Sequence, residues 1–132
     1  MEIKLNPEES EEIFYSSLCN AVGTGWMSGY GLELTCDRSQ YKSSREHLER
    51  LNPESSPCYE DILMQVLRDG GELTMVDHEG DDEETSITLK DVHERTSQTP
   101  ATNLLNITTE NDDAIDADCV IQTVFFGEIV YG

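Results

Sequence analysis

Positive charge is what this chain of 132 residues has least of: eight Lys and Arg stand against 28 Asp and Glu, for a formal net charge of −20. Phosphate contacts need clustered Lys and Arg, so the deficit disfavours nucleic acid and anionic membrane as direct partners. Long apolar runs are missing as well, with nothing near the roughly 20 residues that cross a bilayer. The N-terminus, Met1-Glu2-Ile3-Lys4, lacks the apolar core of a secretory signal, so export by that route is not expected. The four cysteines, Cys19, Cys36, Cys58 and Cys119, form no CxxC pair. They read as reduced, mostly buried thiols of an intracellular protein rather than as a disulfide framework. Also absent are GxGxxG, GK[ST] and the spacing of an EF-hand loop. No motif names a reaction, and the expectation is a non-enzymatic protein without a cofactor.

What is present argues for an ordered fold. The chain is 36% hydrophobic, and its apolar residues fall in periodic runs rather than singly, which a disordered acidic tail would not show. Its length suits one domain, residues 1–132, with one core. The charge keeps such a domain soluble at some cost in self-repulsion.

The elements can be placed along the chain. Asn6 and Pro7 open a first helix, Glu8, Glu9, Glu11 and Glu12 favour its positive end, and Gly23 and Gly25 stop it. Its apolar stripe is Ile13, Phe14, Leu18, Ala21 and Val22. Tyr30, Leu32, Leu34 and Cys36 alternate as in a strand. Residues 38–51 read as a weakly amphipathic helix that holds Arg38, Lys42, Arg45 and Arg50, half of the basic charge. Ser56 and Pro57 open the clearest helix, with Tyr59, Ile62, Leu63, Val66 and Leu67 on one face and Gly70-Gly71 at its end. Residues 73–76 and 86–89 form a hairpin about an acidic turn at 79–84. A short helix over 90–96, another piece carrying Leu104, Leu105 and Ile107, and a helix opened by Asp112 and Asp113 follow. Residues 120–126 are rich enough in β-branched and aromatic side chains to read as a strand; the acidic start favours the helix. Residues 129–131 read as a final strand. The sum is α+β, several helices packed on a small, mainly antiparallel sheet.

Three constellations carry chemistry. The acidic runs at 8–12, 81–84 and 110–118 each have a local explanation, as helix-start charge or solvated turn. Gathered on one face, they would imitate a line of phosphates and engage a basic protein by electrostatic attraction. The loop at residues 23–31 holds four glycines with Trp26 and Tyr30. It suits the stacking of a flat ligand, with Arg38, Arg45 or Arg95 for phosphate. This alternative makes the protein a sequestering agent for a small nucleotide-type ligand. Last, Asp77, His78 and Glu79, with Asp81 and Asp82 nearby and His93 further on, have the donor types of a divalent-ion site. A polar hairpin tip that stays solvated is the preferred reading of the first five, and no metal is expected. His93-Glu94-Arg95 and His47 read as ordinary surface positions.

The stretches CYEDILMQVLRDGGELTMVDHEGD, SITLKDVHER and DADCVIQTVFFGEIVYG resemble small accessory proteins encoded by bacteriophages and prophages. The resemblance spans residues 58–132. It implies a cytoplasmic setting in a bacterial host and a part in handling host defence, as acidic nucleic-acid mimics and sponges for signalling nucleotides have. It carries no catalytic residue over.

The expectation is therefore an inhibitor or adaptor whose acidic surface engages a basic host protein, one that binds nucleic acid or serves in defence. The partner-binding residues would be Glu8, Glu9, Glu11, Glu12, Asp81, Asp82, Glu83, Glu84, Asp112, Asp113, Asp116 and Asp118. The sequence leaves self-association open.

Overall fold

The computed structural model describes residues 3–25, 29–111 and 113–131. Among them are six α-helices and a three-stranded antiparallel sheet, an α+β fold as the sequence patterns predict. Helix α1 (Pro7–Thr24) starts from a reciprocal cap. The Glu9 amide donates to Asn6 Oδ1 at 2.8 Å and the Asn6 amide to Glu9 Oε1 at 3.0 Å. The helix runs through Gly23 and ends at Gly25, whose φ of 69° is the left-handed cap that glycine adopts without strain.

Strand β1 (Leu32–Thr35) leads into α2 (Arg38–Leu51), where Asp37 Oδ1 accepts from the amides of Ser39 and Gln40 at 2.7 and 3.2 Å. Helix α3 (Tyr59–Arg68) is buried from residue 62 to 67, wider than a single apolar stripe. It turns into β2 (Leu73–Asp77) through Gly71, where a Cβ would stand 2.8 Å from Val66 Cγ1 and 2.6 Å from Gln40 Oε1, so only glycine fits. β2 is the central strand. It pairs with β1 from Leu32↔Asp77 to Thr35↔Thr74, and with β3 (Glu83–Ile87) from Leu73↔Ile87 to Asp77↔Glu83. The returning strand thus begins three residues earlier than expected, and Glu83 and Glu84 belong to it rather than to the turn.

Helix α4 (Leu89–Arg95), a 3₁₀ turn (Thr96–Gln98), α5 (Ala101–Thr108) and α6 (Ala114–Phe126) complete the fold. Residues 120–126 are helical, as the acidic start favours. Asp113 Oδ1 accepts from the amides of Ile115 and Asp116, and Asp116 Oδ2 accepts from the amide of Asp113. From residue 116 to 125 every side of α6 is buried. Phe14 of α1 meets Phe125 with ring centroids 6.5 Å apart, and Leu18, Leu63, Leu73, Met75, Ile87, Val92 and Leu104 close the same core.

Residues 129–131, expected as a final strand, form no strand of the sheet. Gln122, fully buried on α6, takes the place of a neighbouring strand. Its Oε1 accepts from the amides of Val130 and Tyr131, both at 2.7 Å, while its Nε2 donates to Tyr131 O at 2.9 Å and to Asp118 Oδ2 at 2.8 Å. Tyr131 is further held by a stack on Tyr30 at 5.1 Å, an edge contact with Phe126 and a short hydrogen bond from its hydroxyl to Asp77. All four cysteines are free. Cys119 is buried, Cys19 and Cys36 are half-buried and Cys58 is exposed, so the expectation of mostly buried thiols holds only in part.

Two expected outcomes follow from α6. Removing the buried amide in Gln122→Ala frees the terminal strap and costs about 1–3 kcal/mol, the usual price of unmade buried hydrogen bonds. Urea denaturation reads the loss, and amide exchange at Val130 and Tyr131 rises with it; unchanged exchange there contradicts the role assigned to Gln122. Asp118 behaves differently. Burial raises its carboxyl above the usual range, against a smaller opposite effect of the Gln122 hydrogen bond. A carboxyl with a raised folded pKa favours the fold below its unfolded value and loses that advantage as pH climbs through the folded one. Asp118→Asn therefore raises the melting temperature at pH 7 relative to the parent and loses that lead at pH 3.

Candidate functional site

Helix α1 carries the first acidic run as a ridge between clefts. On one side a cleft of about 490 Å³ opens between α1 and α5, lined by Glu9, Glu12, Ile13, Tyr15, Ser16, Ile107, Thr108 and Glu110. Ile13 is buried and Ile107 half-buried, so they form the floor; Glu9, Glu12 and Glu110 are exposed and form the rim. The first and third acidic runs of the sequence thus meet here. On the other side, Pro7, Glu8, Glu11, Glu12, Tyr15 and Arg68 line a cleft of about 430 Å³.

That second cleft is partly neutralised from within. Glu11 accepts from Arg68 Nε at 3.0 Å and faces His93 Nε2 at 2.9 Å. Burial would raise the Glu11 carboxyl, but the hydrogen bonds from His93 and Arg68 outweigh it and hold the carboxyl below its usual range. Beside it the Tyr15 hydroxyl donates to Asp61 Oδ1 at 2.5 Å. This bond, more than burial, pushes the phenol far above its usual pKa and is the main cause of the lowered Asp61 carboxyl. Glu8, Glu9 and Glu12 remain outward on this ridge, whereas Glu11 is committed to the molecule itself.

The second acidic run gathers elsewhere. Asp81 and Asp82 make the hairpin turn with φ of 60° and 56°, and Glu83 and Glu84 follow on β3, all exposed. His78 bridges Glu33 Oε2 at 2.7 Å and Asp82 Oδ1 at 2.8 Å, tying the turn to β1. Asp77 accepts from the amides of Glu79 and Gly80 as well as from Tyr131. Both ring nitrogens of His78 are therefore engaged, and His93 lies with Glu11 instead. Among the described residues, no group of three or more His, Cys, Asp or Glu is placed to hold a metal ion. Asp77, His78, Glu79 and His93 do not converge.

Two expected partner-binding residues are corrected. Asp116 is buried and accepts from Asn103 Nδ2 at 2.8 Å and Asn106 Nδ2 at 3.2 Å, a lock between α5 and α6. Asp118 is buried against Gln122. Neither faces outward. Asp113 is exposed, though it caps α6. Asp112 and Trp26 lie outside the described residues.

Among the described residues, Tyr30, Arg38, Arg45 and Arg95 of the alternative ligand-binding set do not assemble either. Tyr30 is stacked on Tyr131. Arg45 pairs with Glu49 one turn along its own helix at 3.8 Å. Arg95 donates to the Val124 carbonyl at 2.9 Å, where it satisfies the end of α6, and pairs with Asp91 at 3.8 Å. Arg38 is exposed at the first position of α2. Each is tied to a different place.

One cluster escaped the sequence reading. Ser44 and His47 on α2 face Gln65 on α3 and Asp69 just after it. Ser44 Oγ donates to Asp69 Oδ2 at 2.8 Å, Gln65 Nε2 donates to Asp69 Oδ1 at 2.8 Å, and His47 Nδ1 lies 3.0 Å from that oxygen. Burial pushes the Asp69 carboxyl up, but hydrogen bonds from Gln65, Ser44 and His47 win and lower it. The residue types suggest a hydrolytic triad, yet the order is wrong. The carboxylate stands between serine and histidine, so the hydroxyl meets Asp69 rather than the imidazole, and the cluster clamps α2 to α3. The signal lay in the i, i+3 spacing of Ser44 and His47 and the i, i+4 spacing of Gln65 and Asp69.

Comparison of the chain with protein-family models, with curated proteins and with solved structures finds no match. No helix among the described residues is long and apolar enough to cross a membrane.

The His78 bridge has a measurable consequence. Hydrogen bonds to Glu33, then to Asp82, raise the imidazole above its usual 6.5. A raised histidine stabilises the fold fully below its unfolded pKa, and the contribution fades as pH rises through the folded value. In NMR titration the His78 ring should therefore have its midpoint above 6.5 and return toward it in Glu33→Gln; a midpoint at or below 6.5 in the parent contradicts the bridge.

Proposed function

We propose that this protein is a non-enzymatic inhibitor or adaptor that uses its acidic surface to engage a basic partner. The observation that carries the reading is the disposition of charge on ordered elements. Four of the eight cations are paired within the molecule: Arg45 with Glu49, Arg68 with Glu11, Lys90 with Glu94 and Arg95 with Asp91. Glu8, Glu9 and Glu12 on α1, Glu110 after α5, and Asp81, Asp82, Glu83 and Glu84 at the hairpin stay exposed. Carboxylates fixed on helices and strands focus a negative field, which speeds encounter with a positive surface and disfavours other partners. In this reading the partner is a bacterial host protein that binds nucleic acid or serves in defence, in keeping with the likeness of residues 58–132 to phage accessory proteins. Such a partner already carries a cationic surface shaped for phosphate, and the carboxylates compete for it.

Fluorescence anisotropy against a basic DNA-binding protein tests this. Affinity should fall steeply as salt rises from about 50 mM to about 0.5 M, where the Debye length shrinks from more than 10 Å to about 4 Å, and duplex DNA should displace the protein. Binding that holds steady across the series, or that DNA does not touch, sinks the proposal.

A further inference from the structure

We infer that the cleft between α1 and α5 is the reading site, and that its occupant is an amphipathic basic helix of the partner, carrying lysine or arginine on either side of an apolar residue. The inference rests on the function proposed above and narrows it to one place. Local structure accounts for Glu9, which caps α1, but not for Glu12 or Glu110 on the same rim. A negative side chain belongs in the first turn of a helix and is disfavoured near its C-terminus. Glu110 stands just past the C-terminal end of α5, with φ of 60°, in the left-handed position that usually belongs to glycine. The amides of Glu110 and Asn111 close the helix back onto the carbonyls of Ile107 and Asn106 at 3.2 and 2.8 Å. A glutamate there is unfavourable both in backbone and in charge. Glu12 lies in the second turn of α1, beyond the reach of the helix-start explanation, and is exposed.

The floor differs from the rim. Ile13 and Ile107 give it an apolar base beneath three carboxylates. A site for bare positive charge would not need that base, whereas an amphipathic helix fills it with one apolar side chain and offers cations to Glu9, Glu12 and Glu110. Charge complementarity selects the occupant. A second copy of this chain brings the same −20 and is repelled.

The test uses two synthetic peptides of equal charge, an amphipathic Lys/Leu helix and an all-Lys peptide. They are titrated at low salt into the full chain and into two double variants, E12Q/E110G and E54Q/E72Q, the second at exposed glutamates outside the carboxylates assigned to binding. The parent should bind the Lys/Leu helix more tightly than the all-Lys peptide. E12Q/E110G should weaken the Lys/Leu helix about ten-fold, the sum of two exposed ion pairs, while E54Q/E72Q weakens it less than about three-fold. Replacing Glu110 by glycine relieves the left-handed backbone, so the first variant should also melt about 3 °C higher, which separates lost recognition from lost folding. Equal weakening by both variants, or no preference for the Lys/Leu helix, overturns the cleft and leaves the acidic-surface reading standing. Failure of the parent to bind either peptide overturns both.

Discussion

Burial of α6 on all sides is the constraint from which the rest of the structure follows. Ten consecutive residues, 116–125, are hidden, among them Asp116, Asp118, Gln122 and Thr123. Buried polar groups must find partners inside the protein. Asp116 finds the amides of Asn103 and Asn106, Asp118 and the terminal strap share Gln122, and Thr123 Oγ1 donates to the Cys119 carbonyl at 2.7 Å. Helix α1, the 3₁₀ turn, α4, α5, β3 and the strap are the walls that cover this helix. Neutral amides and hydroxyls satisfy these groups of α6, the hydroxyls of Ser10, Ser17 and Thr99 stay buried without a hydrogen-bond partner among the described residues, and Arg95 reaches in to cap the end of α6.

This division of labour explains the surface. Because the core takes so few charges, nearly all carboxylates remain outside, and with eight cations most cannot be paired. Some serve local structure, as Glu9, Asp37 and Asp113 do at helix starts. Others join elements across the chain: Asp61 with Tyr15, Asp69 with α2, Glu11 with Arg68 and His93, Glu33 with His78. Among the remainder, Glu8, Glu12 and Glu110 beside α1 and α5, and Glu83 and Glu84 on β3, are exposed and serve no cap or bridge described above. Their mutual repulsion is a standing cost, which is the physical ground for assigning them to recognition.

Elements with a local signature could be read from the sequence, and contacts between distant segments could not. The helical reading of residues 38–51 matches α2 at both ends, and the acidic start at Asp112, Asp113 and Asp116 decided helix over strand for residues 120–126 against their β-branched composition. The same Asp116 was read as surface charge because its partners, Asn103 and Asn106, sit on another helix. Residues 129–131 had the composition of a strand but lacked a strand to join, since Gln122 supplies the hydrogen bonds a neighbour would. The meeting of Glu9 and Glu12 with Glu110 was invisible for a like reason. About a hundred positions separate them, and the packing of both α1 and α5 on α6 brings them to one cleft.

The central claim is that fixed carboxylates concentrate negative potential at particular places on an ordered surface. Paramagnetic relaxation of backbone amides by a cationic cosolute, compared with its neutral analogue, measures that potential directly. The account predicts excess relaxation from the cationic probe at residues 8–13, 107–110 and 80–84, decaying with added salt. Equal relaxation by the two probes at those amides, or an excess spread evenly over the chain, would contradict it.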